Sequence, residues 1–301
     1  MNSSSYDVVI LGTGPAGLQA AIHAVRKKVS VLVLGKESKS SLFHAHIENF
    51  CCQFDIPGDK MLSNGRKQAE SFGAHFLEED ILSMDAGQDG FVLKTENGRT
   101  ITSQALVIAT GTQRNRLGVP GEKELLGKGV SYCVDCDGNF YRKENVAVVG
   151  NESAAVDGAL TMAEIAADVH LICDRLEVSD SLKDKLENSR IKIHRETKVT
   201  AIRGEGQVTG LELQNGTTVQ VGGVFIELGA KGLLQLATQM GVQLDDEMRY
   251  IQADKQQATN LPGVYAAGDI CGPPWQMAKA VGEGCVAGIN AATFAKKKKT
   301  A

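Results

Sequence analysis

At 301 residues, the chain exceeds what one hydrophobic core usually serves, so two domains are expected. Its 43% hydrophobic and 23% charged residues are ordinary for a soluble globular protein, and a net charge of −4 argues against nucleic-acid binding. No stretch is apolar and long enough to span a bilayer, and Met1–Tyr6 does not read as a signal peptide, so a cytoplasmic protein is expected.

The chain opens with a short apolar run, Asp7–Leu11, read as a buried parallel strand. Gly12-Thr13-Gly14-Pro15-Ala16-Gly17 follows, then an Ala-rich helical stretch, Leu18–Lys27, and a second β-branched run, Val29–Leu34. This is a βαβ unit with Gly-x-Gly-x-x-Gly in its first turn, the pattern of a dinucleotide site. Gly12 permits the tight turn, Gly14 lets a pyrophosphate approach the backbone, and Gly17 lets helix and strand pack closely. The helix start then offers N–H groups and a favourable dipole to the phosphates. The ribose-binding acid expected at the end of the second strand is replaced by Gly35, and Glu37 is the nearest carboxylate.

Further along, Phe91–Thr95 and Val208–Leu213 read as antiparallel strands, with hairpin turns at Gly98 and Asn215-Gly216. Ala105–Ala109 is a strand leading into Thr110-Gly111-Thr112. A second βαβ unit occupies Asn145–Val149, Ser153–Ala166 and Asp168–Ile172. Val264–Ala267 is a strand running into Gly268-Asp269, and Met277–Phe294 is a helix followed by Lys296–Lys299, read as a solvated tail.

Seven cysteines in a chain of this length do not suggest a disulfide scaffold. Cys133-Val134-Asp135-Cys136 has the spacing of a small reducible disulfide, although a structural pair or half a metal site has the same spacing. A zinc site would need a second close pair of ligands, and nothing places His44 or His46 beside Cys133, so no metal site is read. The adjacent Cys51 and Cys52 read as packing or incidental thiols.

With Gly12–Gly17, Thr110-Gly111, Cys133-Val134-Asp135-Cys136-Asp137-Gly138 and Gly268-Asp269 in that order, the sequence resembles the low-molecular-weight thioredoxin reductases from Gly12 to Cys285. The resemblance implies an α/β fold of two Rossmann-like three-layer β/β/α domains, as in class II pyridine nucleotide-disulfide oxidoreductases. Residues 1–115 and 244–301 would form a discontinuous FAD domain, and 116–243 an inserted NAD(P)-type domain carrying the disulfide. It implies FAD as the dinucleotide. Gly12, Gly14, Pro15, Ala16, Gly17, Glu37, Thr110, Gly111, Gly268, Asp269, Trp275, Gln276 and Met277 would contact it, and the helix from Met277 would aim its N-terminus at the flavin. Cys136 would be the flavin-proximal thiol, Cys133 the interchange thiol, and Asp137 the acid/base. A thioredoxin-like partner and a homodimer also follow from the resemblance.

Three departures bear on the electron donor. The second glycine motif reads Gly150-Asn151-Glu152-Ser153-Ala154-Ala155, with Glu152 where a glycine should admit a pyrophosphate. Two like charges about 4 Å apart cost roughly 4 kcal/mol at an effective dielectric near 20. The family's His-Arg-Arg run, which holds the NADPH 2′-phosphate, is here Cys173-Asp174-Arg175. Pro273-Pro274-Trp275-Gln276 replaces the Arg-Gln before the last helix, and an indole there can pack in a core or stack on an aromatic cofactor. The pattern resembles the branch lacking the NADPH motif, which includes the ferredoxin-dependent flavin thioredoxin reductases and the cyanobacterial diflavin-linked disulfide oxidoreductases. NADPH is therefore not expected to bind. Ferredoxin or a second FAD per subunit would serve as donor. Rival readings are an FAD dithiol oxidase using oxygen, an NAD(P)H-dependent reductase with a variant nucleotide site, and a redox-sensing module without turnover.

Overall fold

The computed structural model describes residues 3–87, 89–111, 116–228, 233–246 and 249–300, except the side chains of 135, 136 and 233–235. In chain order come β1 Ser3–Leu11, α1 Pro15–Arg26, β2 Val31–Leu34, β3 His46–Ile47, β4 Ile56–Pro57, α2 Gly58–Ser71, β5 His75–Leu77, β6 Ile81–Gly87, β7 Gly90–Thr95 and β8 Thr100–Ile108. Next are β9 Val130–Ser131, α3 Val134–Asp137, β10 Asn145–Val149, α4 Ser153–Ala163, β11 Asp168–Ile172, α5 Asp180–Glu187, β12 Lys192–His194, β13 Val199–Arg203, β14 Gly210–Leu213, β15 Thr218–Gln220 and β16 Gly223–Ile226. The chain ends with α6 Leu233–Gln239, β17 Val264–Ala266 and α7 Met277–Thr300. Two units result, Met1–Thr112 with Leu233–Ala301, and Gln113–Gly232.

In the first unit, parallel pairing runs β5-β2-β1-β8-β17. β8 serves two partners. Its first half pairs antiparallel with β7 (Leu93↔Ile101), and its second half pairs parallel with β17 (Ala266↔Ile108). Alternate residues of β1 feed two cores. Val8 and Ile10 pack with α1 and α7 residues such as Ala20 and Ala291, while Val9 and Leu11 pack with Met84, Phe91 and Leu93 of β6 and β7. Burial on both faces is why the strand reads as a continuous apolar run. Helices on one face and the β6–β7 hairpin on the other make the three layers expected from the sequence.

α7 meets α1 through glycines. A Cβ at Gly284 would lie 2.2 Å from the Ala16 carbonyl oxygen, and one at Gly288 would lie 2.2 Å from that of Ala20. Leu236, Ala237 and Val242 bury in the core of the first unit, so the chain returns to it at 233, not at the expected 244. Lys296–Lys299 is the exposed last turn of α7, not an unstructured tail, and its cations suit the carboxyl end of a helix. One of them, Lys299, pairs with the buried Asp7 at 2.6 Å.

The second unit repeats the plan. A parallel sheet, β12-β11-β10-β16-β9, is packed by α4, and its other face shares a core with the antiparallel sheet β13-β14-β15 through Val149, Ile226, Leu211 and Val219. Two elements are shorter than expected, α4 ending at Ala163 and β14 beginning at Gly210.

Candidate active site

The first glycine turn is built as the sequence requires. Gly12 has φ +116°, and a Cβ there would sit 2.3 Å from the Ala109 carbonyl oxygen, while a Cβ on Gly17 would sit 1.9 Å from that of Gly12. Gly14 differs. Its φ of −77° suits any residue, and the nearest atom to an added Cβ is Ser40 Oγ at 3.4 Å. A Cβ on Gly14 would therefore touch Ser40 in ordinary van der Waals contact. Gly14 caps α1, no side chain caps the helix start, Pro15 takes the first helical position, and no acid lies in the first turn. The start of α1 can thus receive a pyrophosphate.

Glu37 opens a short 3-10 turn after Gly35. Burial raises its carboxyl above the usual range, Arg66 opposes this, and Glu78, Asp59 and Glu70 add to it. The preceding Lys36 is held at 3.0 Å by each of Asp80 and Glu96. Burial disfavours its charge, but these two carboxylates prevail and raise its pKa.

Thr110 and Gly111 follow β8, and Gly111 has φ +68° with nothing near its missing Cβ. Thr112 lies outside the described residues. The Gly268-Asp269 turn, with Gly268 at φ +87°, is stapled to α7 by a pair the sequence reading missed. Lys279 Nζ donates to the carbonyls of Gly268 (2.9 Å) and Gly272 (2.7 Å), Glu283 Oε2 accepts from the Gly268 N–H (2.8 Å), and the two pair at 3.2 Å. Their i,i+4 spacing was the available signal. Burial raises the Asp269 carboxyl, Lys279 lowers it, Glu283 raises it again, and the net shift is upward.

Trp275 is 60% exposed, which removes the reading as a core residue of this chain. It follows a cis Pro273–Pro274 bond. Gln276 accepts a hydrogen bond from Asn49 at 3.1 Å, and Met277 begins α7.

In the second unit, Cys133 is disulfide-bonded and lies just before α3. The backbone of Cys136 is in α3; its side chain lies outside the described residues. Ser131 Oγ donates to Asp137 Oδ2 at 2.6 Å and accepts from the Cys133 N–H at 3.0 Å. Buried Glu227 accepts from the Val134 N–H at 3.0 Å. Neither Ser131 nor Glu227 stands out in the sequence; both anchor α3 from strand β9 or the end of β16.

The second glycine turn keeps its tight bend. A Cβ on Gly150 would lie 2.1 Å from the Glu227 carbonyl oxygen. Glu152 is the N-cap of α4. Asn151 ties this turn to the chain after β11. Its Oδ1 accepts from the Asp174 N–H at 2.9 Å and its carbonyl from the Glu177 N–H at 2.7 Å. Asp174 is paired with Lys198 at 3.0 Å. A cavity of about 230 Å³ here is lined by Arg175, Lys183 and Arg195, balanced by Asp174, Glu187 and Glu196.

Two glycine turns, each between a parallel strand and a helix, and a disulfide at Cys133 lie on two Rossmann-like units, and the sequence matches a family model with that plan: the chain belongs to the pyridine nucleotide-disulphide oxidoreductases, matched over residues 6–284. Within that class it is a flavoprotein thiol-disulfide oxidoreductase of the thioredoxin reductase type. It is 34% identical over 298 residues to a bifunctional thioredoxin reductase/thioredoxin of Mycobacterium leprae, covering 95% of this chain and 65% of that longer one. Its fold is similar to the atypical thioredoxin reductase TRi of Desulfovibrio vulgaris Hildenborough, with TM-score 0.85, 35% identity, and 97% and 98% of the two chains covered. It is also similar to a ferredoxin-flavin thioredoxin reductase of Clostridium acetobutylicum, with TM-score 0.71, 28% identity, and 100% of each chain covered. No helix among the described residues is long and apolar enough to cross a membrane.

Proposed function

We propose that the chain holds FAD at the Gly12–Gly17 turn and passes electrons to or from a thioredoxin-like protein through a Cys133–Cys136 disulfide. The donor in this reading is not a nicotinamide nucleotide but ferredoxin or a second flavin. The carrying observation is the pair of glycine turns. Gly14 carries no side chain, whereas Glu152 puts a carboxylate-bearing side chain at the equivalent position. Asp174, where the adenosine ribose of a nicotinamide dinucleotide would be sought, has its carboxylate paired with Lys198 and its N–H donated to Asn151. The likeness to atypical and ferredoxin-flavin reductases supports a donor of another kind.

The residues fit FAD. The uncapped start of α1 would hold the pyrophosphate and Glu37 the ribose, Thr110, Gly111, Gly268, Asp269, Gln276 and Met277 would hold the remainder, and the exposed Trp275 could stack on a ring. When bound, FAD supplies the two-electron carrier. With the disulfide reduced, Cys133 attacks a partner disulfide and forms a mixed disulfide. Cys136 then attacks the sulfur of Cys133, closes the internal disulfide and releases the partner as a dithiol. Asp137, oriented by Ser131, moves the protons to and from these thiols.

The test is anaerobic spectroscopy of the flavin band near about 450 nm. A dithiol or reduced ferredoxin bleaches it, and NADPH and NADH do not; rapid bleaching by NADPH ends this reading. One observation favours the rival of a working, variant NAD(P)H site: Arg175, Lys183 and Arg195 line the cavity beyond β11. In that case NADPH bleaches the band and Arg175→Ala slows it. Homodimer assembly, carried over from the resemblance, is tested by light scattering.

A further inference from the structure

Two thiols take no part in this chemistry. Cys51 and Cys52 lie on the loop between β3 and β4, and both are exposed and free. Consecutive side chains on extended backbone point to opposite faces. These two converge instead, with Sγ atoms 3.6 Å apart, and Cys52 stands in the left-handed region at φ +69°. The remaining free thiols are set differently. Cys173 is buried, Cys271 and Cys285 are half-buried in separate places, and burial pushes the Cys271 thiol up to about 12. Two residues before the pair, Asn49 ties the loop to Gln276 at the head of α7.

From this convergence we infer that Cys51 and Cys52 are a second thiol–disulfide couple, separate from Cys133, which closes to a vicinal disulfide by exchange with small external disulfides. One thiolate of the pair attacks a sulfur of R–S–S–R, forms a mixed disulfide and expels RS⁻, which takes up the proton lost by the attacking thiol. The neighbouring thiol then attacks the protein sulfur of that mixed disulfide, closes Cys51 to Cys52 and releases the second RSH. Two electrons pass from the dithiol to the external disulfide, and a dithiol such as dithiothreitol reverses the exchange. Neighbouring Cα atoms are about 3.8 Å apart, below the roughly 4.4–6.8 Å usual for bridged cysteines, so the closed ring is strained and readily reduced. The inference needs neither the flavin assignment nor the identity of the donor.

The flavin-loaded full chain is treated with glutathione disulfide and its thiols are mapped by differential alkylation and peptide mass spectrometry. EDTA is included because ligand atoms of His46, Glu48 and Asp55 on the same loop lie within 4.8 Å of one another and could hold a cation. Cys51 and Cys52 are expected to lose reactivity together, in a peptide about 2 Da lighter and free of glutathione. Cys271 should remain unmodified. In Cys51→Ser and in Cys52→Ser, the surviving thiol should stop at a stable glutathione adduct, because the resolving neighbour is gone. A lasting adduct on the unaltered chain, or two thiols that stay alkylatable, would overturn the inference.

Discussion

The glycine turn at 12–17 and its counterpart at 150–155 share their backbone and differ in what they leave room for. Each begins with a glycine whose missing Cβ admits a carbonyl oxygen, that of Ala109 at 2.3 Å in the first and that of Glu227 at 2.1 Å in the second. Each caps its helix from extended backbone, with ψ −177° at Gly14 and −171° at Glu152. Neither cap needs glycine for its conformation. Beyond the third glycine, Gly17, which is Ala155 in the second turn, the difference at the helix start is Gly14 against Glu152, so the second turn keeps its bend while its ligand position carries a charged side chain.

The strongest test exchanges that one difference. Gly14→Glu should fold, since the backbone tolerates any residue, but bind FAD more weakly by about 4 kcal/mol, roughly a thousandfold. Flavin content of the purified variant reads this out, and full retention of flavin would show that the first turn is not its site. The reciprocal Glu152→Gly should gain less. With Asp174 still held by Lys198, an increase of about tenfold in NADH or NADPH affinity is expected, and none at all would shift the block to Asp174. Ser131→Ala should lower disulfide turnover about tenfold, the worth of a hydrogen bond to a charged acceptor, without changing flavin content. A change in both would mean that the hydroxyl is needed for folding.

The smallest effect is expected at Asp269. Its folded pKa is raised above 3.8, so its contribution to stability is complete below that value and is lost as pH rises through the folded pKa. In the FAD-free protein, Asp269→Asn should flatten this part of the dependence of Tm on pH; an unchanged profile would assign the slope to other groups.

The parallel strands were legible because burial on both faces demands unbroken runs such as Val8–Leu11, all fully buried. The glycine turns were legible because tight bends and close approaches restrict residue choice. What escaped depends on partners distant in sequence. Nothing local to Thr100–Ile108 announces that one strand will split its edge between β7 and β17. The segment 233–243 was placed with the inserted domain because it carries no motif of its own, and the first unit's core shows where Leu236 and Val242 go. Ser131, Glu227, Lys279 and Glu283 escaped because orienting groups are chosen by position and not by motif. Cys51 and Cys52 were read as incidental, since the convergence of their sulfurs follows from a left-handed residue that sequence does not announce.

The glycines of α7 carry a mechanical consequence. Gly284 and Gly288 seat on the main chain of α1 at Ala16 and Ala20, so at these two points no α7 side chain stands between the helices. Even a single methyl group at 284 or 288 would meet an α1 carbonyl oxygen at 2.2 Å and act as a wedge that drives the two helices apart.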